Sequence, residues 1–392
     1  MAAPLEGITV VALEQAVAAP FATRQLADLG ARVIKIERPG EGDFARGYDT
    51  TVKGLSSYFV WLNRSKQSLT LDLKRPETCE ILARLLAAAD VFIENLAPGA
   101  SSRLGFDVDA LHERHPRLIA CSVSGYGPSG PYASKKAYDL LVQSEVGLIS
   151  LTGTEAHPSK VGISVADISA GMYAYSGVLA ALFARTSTGR GAVLRVSLFD
   201  ALSEWMSAQI YYTAFGGSPP PRSGAHHASI APYGPYGTSD GPVYLAIQNA
   251  REWIRFCGDV LRRPDLATDQ RFRTNRERVQ HRQALDEAIT NVFTGLTSAE
   301  VIRRLDEAGV ASARLVSVED FVDHPQLRAR DRWRAIDSTS GPLEVLMPPL
   351  EMSGVEPVMG GVPAIGEHTD VILAELGFDA ETIAAWHRKG TI

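Results

Sequence analysis

Ile8-Thr9-Val10-Val11-Ala12-Leu13, a helically spaced stretch from Pro20 to Leu29, and Ala31-Arg32-Val33-Ile34-Lys35-Ile36-Glu37 follow one another near the start of the chain. The β-branched first run predicts a strand, the proline heading the second predicts a helix start, and the third returns to alternating apolar residues. Together they predict a βαβ unit. The pattern recurs as a strand over Ser68 to Leu73, a helix over Pro76 to Ala89, a strand over Asp90 to Glu94, a helix over Val108 to Arg114 and a strand over Arg117 to Val123. Strands alternating with helices at this spacing predict an α/β fold whose mostly parallel sheet is covered on both faces.

Further along, Asp167 to Arg185 reads as one helix rich in Ala, Gly, Leu and Tyr, stopped by Thr188-Gly189-Arg190-Gly191. Ala192 to Ser197 predicts another strand, and Phe199 to Phe215 another helix. Gly216-Gly217-Ser218-Pro219-Pro220-Pro221-Arg222-Ser223-Gly224 cannot sit inside regular structure and marks a linker. Beyond it, a strand at Val243 to Gln248 and helices at Arg251 to Leu261, Arg282 to Phe293 and Ser298 to Ala308 predict a smaller α+β domain. Helices at Thr369 to Leu376 and Ala380 to Lys389 close the chain. The expected division is 1–215 as a large domain, 216–235 as linker and lid loop, 236–315 as the small domain and 316–392 as a part returning to the large one.

Composition narrows the function classes. With 392 residues, 45% of them hydrophobic, the chain can bury a sizeable core. A net charge of -6, with 39 basic and 45 acidic residues spread along the length, offers no stripe for nucleic acid or anionic lipid. No segment reads as the roughly eighteen apolar residues of a membrane span, and Met1 to Gly7 has no basic run leading into an apolar one, so a cytoplasmic chain is expected. Cys79, Cys121 and Cys257 lack metal spacing and are expected to be reduced core thiols; no metal is expected.

Four features invite a chemical reading. Gly125-Tyr126-Gly127-Pro128-Ser129-Gly130 matches GxGxxG in form, but Pro128 and Pro131 stand where a helix would have to open on a pyrophosphate, so a plain turn is preferred. Asp167, in Val165-Ala166-Asp167-Ile168-Ser169, stands before a long apolar helix and reads either as its N-cap or as a carboxylate kept ionised by the helix's positive end. Arg38, Lys74, Arg75, Arg103 and Lys136 are solvated charges or the scattered cations that a cofactor with several phosphates requires. His226 and His227 lie in a glycine-containing loop that permits a mobile lid, and no third ligand is close enough in sequence for a metal site.

Val33-Ile34-Lys35-Ile36-Glu37-Arg38-Pro39-Gly40-Glu41-Gly42-Asp43 resembles the N-terminal signature of the class III CoA-transferases, the family of formyl-CoA transferase and carnitine CoA-transferase. The resemblance continues through Leu71-Asp72-Leu73-Lys74, Glu94-Asn95-Leu96-Ala97-Pro98-Gly99, Arg103-Leu104-Gly105-Phe106, Gly125-Tyr126-Gly127 and Thr188-Gly189-Arg190-Gly191 to Gly366-Glu367-His368-Thr369-Asp370. It implies a Rossmann-like large domain with a small domain, and two chains interlocked as a homodimer. It implies Asp167 as the nucleophile that carries CoA between carboxylic acids. It also implies that Arg38, Leu71, Lys74, Arg103 and Lys136 line the site for coenzyme A, and that Tyr138 and Asp139 adjoin the nucleophile.

Departures from the formyl-CoA transferase pattern bear on the acid exchanged. Val17 replaces a glutamine, Tyr48 a tryptophan, and Gly224-Ala225-His226-His227-Ala228 a run of four glycines and a glutamine. The expectation is therefore a larger acid than formate or oxalate, either a dicarboxylate such as succinate or a branched short-chain acid. Two rival readings stand beside this one. An α-methylacyl-CoA racemase would need an acid/base pair, yet Tyr138 stands where racemases carry a histidine, and a phenol of pKa near 10 is a poor base. A non-catalytic CoA-binding protein would have no need of Asp167.

Overall fold

The computed structural model describes residues 2–392. Its chain forms two compact units, one made of the residues up to Val146 with Gly162–Met206 and Gln326–Ile392, the other of Gly147–Val161 and Ser207–Pro325. Residues 147–161, 207–215 and 316–325 thus group with the second unit, whereas the sequence pattern assigns the first two stretches to the large domain and the third to the part returning to it.

The first unit is built on β1 (Thr9–Leu13), α1 (Ala18–Asp28), β2 (Arg32–Glu37), α2 (Ser57–Asn63), β3 (Lys66–Thr70), α3 (Pro76–Ala88), β4 (Val91–Glu94), the one-turn α4 (Ala100–Arg103), α5 (Val108–Arg114), β5 (Ile119–Ser124) and α6 (Asp139–Glu145). After the one-turn α7 (Leu148–Leu151) of the second unit come α8 (Val165–Thr188), β6 (Val193–Ser197) and α9 (Leu198–Trp205). The six strands are ordered β3-β2-β1-β4-β5-β6, every neighbouring pair parallel. This is the doubly wound Rossmann order, in which the direction of winding reverses between β1 and β4.

Strand alternation assigns the two faces. Val11, Leu13, Ile34, Ile36 and Phe92 join Ile81, Leu82, Leu85 and Leu86 of α3, Leu111 of α5, and Ile372, Leu373 and Trp386 near the C-terminus in one buried cluster. Helix α8 packs against α1, β5, β6 and α9. Its small residues allow a close approach: a Cβ at Gly171 would stand 2.6 Å from the Ala18 carbonyl oxygen. The helix spans 24 residues and has the length and composition of a membrane crossing, which the sequence reading had not credited to it. In this fold, Ala166, Ala170, Ala174 and Val178 are fully buried.

The C-terminal motif has a structural task. Gly366 N–H donates to Ser68 Oγ (2.9 Å), His368 N–H to the Ser68 carbonyl (3.0 Å), and Thr70 N–H to Thr369 Oγ1 (3.0 Å), so Gly366–Asp370 closes the outer edge of β3.

The second unit carries an antiparallel sheet, β7 (Tyr233–Gly237), β8 (Pro242–Ala246) and β9 (Ala311–Arg314), over a core of Trp253, Phe256, Phe272, Leu285 and Phe293. The expected helix over Phe199 to Phe215 is instead two, Leu198–Trp205 and Ser207–Gly216, parted at Met206. Cys121 and Cys257 are buried, but Cys79 is exposed on α3: the helix turns that position to solvent while Ile81 and Leu82 point inward.

Candidate active site

Helix α8 begins at Val165, two residues before the expected start, and this changes what Asp167 does. Ser164 holds the N-cap position without a side-chain bond, and Asp167 is the third residue of the helix. The N-cap reading of Asp167 is therefore corrected. The missing cap comes from Asp139, 28 residues before Asp167 at the start of α6. Its Oδ1 accepts from Ala166 N–H (2.8 Å) and more distantly from Asp167 N–H (3.4 Å), and its Oδ2 accepts from Gln143 Nε2 (2.7 Å). Among the described residues no donor bonds the Asp167 carboxylate.

Burial, and after it the charge of Asp139, pushes the Asp167 carboxyl up from the usual 3.8 to about 7. The helix N-terminus pulls the other way but does not prevail. The expectation that the helix end alone keeps Asp167 ionised is thereby amended: near neutral pH the group is poised between its two forms.

Glycine places the cap. A Cβ at Gly125 would lie 2.3 Å from the Ala137 Cβ, so only glycine lets the loop after β5 fold back and deliver Tyr138 and Asp139. No helix opens between Ser124 and Asp139, in keeping with the turn reading of Gly125–Gly130.

Around Asp167 stand residues from the β1 and β2 loops. Gly171, one helical turn on and on the same face, abuts Ala18 at the head of α1. Val17 is buried at the N-cap of α1, with no side-chain cap bond. Partial burial, then the charges of Asp43 and Asp167, push the half-exposed Tyr48 phenol up to about 12. Its ring meets Tyr58 edge-on (5.5 Å) and Phe44 at a tilt (5.8 Å), and Tyr58 leads on to Trp61 and Phe21.

At the reversal of strand order, Gln15 N–H donates to Asn95 Oδ1 (2.8 Å) and Asn95 Nδ2 returns a bond to the Gln15 carbonyl (2.8 Å). The crevice there is where ligands bind in doubly wound sheets. Sequence reasoning missed Gln15 and the aromatic row around Tyr48, and gave Asn95 no role beyond its place in the Glu94–Gly99 motif.

Arg38 follows β2, Lys74 follows β3, Arg103 ends the short helix after β4, and Lys136 follows β5, all four exposed beyond the carboxyl ends of parallel strands. Leu71 is buried at the end of β3. His226 and His227 belong to the second unit. There the His226 ring stands edge-on to Tyr236 (5.6 Å), His227 stacks on Tyr233 (5.2 Å), and Arg282 Nη2 donates to the carbonyls of His227 (2.6 Å) and Ile230 (3.1 Å). Among the described residues no group of three His, Cys, Asp or Glu side chains is arranged to hold a metal ion.

A Rossmann-ordered sheet, an unbonded carboxylate in the first turn of a long helix, and cations beyond the strand ends agree with the match of residues 5–369 to CoA-transferase family III. The chain belongs to that family, and is an enzyme transferring CoA groups. It is 33% identical to the succinate–glutarate CoA-transferase of Agrobacterium fabrum, across 95% of this chain and 96% of that protein. It is 36% identical to the acetyl-CoA:oxalate CoA-transferase of Acetobacter aceti, across 90% of each. The crystal structure of a CAIB/BAIF family protein from Brucella suis superposes with a TM-score of 0.83 at 34% identity, covering 96% of this chain and all of that one.

The perturbed carboxyl generates a pH prediction. A nucleophilic Asp167 must be ionised, and a carboxyl raised to about 7 becomes so only as pH climbs through that value. kcat/KM for a thioester donor should therefore fall below pH 7, to about a hundredth of its plateau at pH 5. Asp139→Asn keeps an oxygen for the Ala166 N–H but deletes the like charge, so its acid limb should move to lower pH. An unmoved limb in pH–rate profiles would show that the charge of Asp139 is not felt.

Proposed function

We propose that the enzyme moves CoA from an acyl-CoA donor to a carboxylic acid acceptor through covalent intermediates on Asp167. The observation that carries this reading is the Asp167 carboxylate itself, bound to no donor among the described residues and relieved of helix capping by Asp139. The ionised carboxylate attacks the thioester carbonyl, and CoA thiolate leaves a mixed anhydride. The thiolate then attacks the aspartyl carbonyl, which frees the donor acid and leaves an aspartyl-CoA thioester. The acceptor carboxylate attacks that thioester to give a second anhydride, and the returning thiolate takes the acceptor acyl group and restores Asp167. No step discards the activation of the acyl group, so no nucleotide is consumed.

The surroundings suit these steps. A carboxylate of raised pKa is the more basic nucleophile once ionised. Ala18 and Ala19, in the uncapped first turn of α1, have N–H groups with no intrahelical acceptor, and such donors stabilise a developing oxyanion. Arg38, Lys74, Arg103 and Lys136 would meet the phosphates of CoA, with Leu71 beneath them.

For the acid, we favour a dicarboxylate or a branched short-chain acid. The relative named for succinate and glutarate supports this class, and the one named for oxalate extends it to a smaller member than Val17 and Tyr48 had suggested. We assign Val17, Tyr48 and Tyr138 to acid recognition. A homodimer is part of the same reading: Phe183, Phe215 and Val318, each 80% exposed or more, are large apolar groups that a second copy would cover. A single-chain mass in sedimentation equilibrium would exclude that assembly.

With succinyl-CoA as donor and glutarate, oxalate and methyl-branched acids as acceptors, Asp167→Ala should cut kcat by more than about a thousandfold while leaving donor affinity within a few-fold. A folded Asp167→Ala enzyme that exchanged CoA at the wild-type rate would remove the proposed mechanism.

A further inference from the structure

Beneath the proposed acid site lies a cluster of charge for which the covalent steps have no use. Lys35, on β2, is fully buried, and its Nζ donates to Asp43 Oδ2 (2.8 Å) and Glu14 Oε1 (3.3 Å). Lys66 Nζ donates to the same Glu14 oxygen (2.6 Å), to Asn63 Oδ1 (3.0 Å) and to the Pro20 carbonyl (3.1 Å), and Thr23 Oγ1 donates to Glu14 Oε2 (2.6 Å). Two buried carboxylates and two buried ammonium groups thus balance.

One member also holds backbone. Asp43 Oδ1 accepts from Ala16 N–H (3.1 Å) and from Ala45 N–H (2.9 Å). Ala16 has φ 61, a left-handed conformation that an L-residue holds only when its surroundings impose it. It precedes Val17 and Ala18, the residues that bring α1 against α8 one turn beyond Asp167. Ala45 belongs to the short turn Phe44–Gly47 that leads into Tyr48. Glu37 fixes this turn from its other side, accepting from Asp43 N–H (2.9 Å) and Arg46 Nε (2.8 Å).

We infer that Asp43, clamped by Lys35, is a positioning residue for CoA transfer. Its Oδ1 holds the strained Ala16 peptide and the Ala45 turn at once, and so sets Val17 and Tyr48 relative to each other and to Asp167. The inference rests on Asp167 as nucleophile and adds a determinant of acceptor choice. The active element is an oxygen acceptor at that point, with the charge serving only to anchor it. Buried ion pairs replaced as a unit by neutral groups of similar shape often cost little, whereas removal of one partner strands the other. The test therefore changes both partners.

Lys35→Met/Asp43→Asn keeps an Oδ1 for both N–H groups and leaves Glu14 with Lys66. It should transfer CoA within about threefold of wild type. Lys35→Met/Asp43→Ala lacks the oxygen. Its kcat should fall about tenfold or more, with KM for the acyl-CoA donor within twofold and weakened discrimination between dicarboxylate acceptors. Adding Ala16→Gly, which adopts φ 61 without the bond, should restore part of the lost rate. Folding is checked by near-ultraviolet circular dichroism. Equal activities in the two folded double variants would overturn the proposal, as would a folded Asn variant that loses more than about nine-tenths of its rate. If the Ala variant does not fold, the Asn variant decides alone on the same thresholds. Wild type and Asp167→Ala run alongside: transfer that survives in Asp167→Ala overturns the nucleophile, whereas any failure confined to the double variants concerns Asp43 only.

Discussion

A carboxylate borrowed from one helix to cap another organises this molecule. The first turn of α8 presents N–H groups with no acceptor of their own, and Asp139 reaches across from α6 to take them. Had Asp167 supplied that bond itself, its oxygens would have been spent on the backbone. With the task done by Asp139, the Asp167 carboxylate stays unbonded and is forced to tolerate both burial and a like charge. The residue that orders the helix start also adds, after burial, to the upward shift of the carboxyl on it.

The fold supplies what that arrangement needs. Parallel strands deliver the loops after β1, β2, β3, β4 and β5 to one edge of the sheet, where Gln15 and Asn95 tie the first and fourth together. Contact without a side chain does the remaining positioning: Gly171 lets α1 close on α8, and Gly125 lets the loop before α6 fold back on Ala137. Either glycine enlarged by one methyl would push apart the elements that carry Ala18, Asp139 and Asp167.

The sequence was legible wherever structure is decided locally. Helices at Val108–Arg114 and Ala380–Lys389 have the ends expected, because Asp107 and Asp379 bond their own first turns and Gly390 turns left-handed at the end of the second. The parallel sheet followed from its β-branched runs. Legibility failed where distant groups decide. Lys66 opens β3 although a buried ammonium does not read as strand, since its partners Glu14 and Pro20 come from far along the chain. Asp167 reads in the sequence either as a cap or as a functional carboxylate, and the choice is not legible there because the true cap stands 28 residues away. The sharing of residues 147–161 with the second unit has no local signature either.

The most direct test is to mix the enzyme with an acyl-CoA donor, quench with hydroxylamine and map the chain by mass spectrometry. A donor-dependent hydroxamate on Asp167 is the predicted outcome, since hydroxylamine intercepts both the anhydride and the thioester. Acceptor-CoA formed at full rate while Asp167 is never modified would contradict the account.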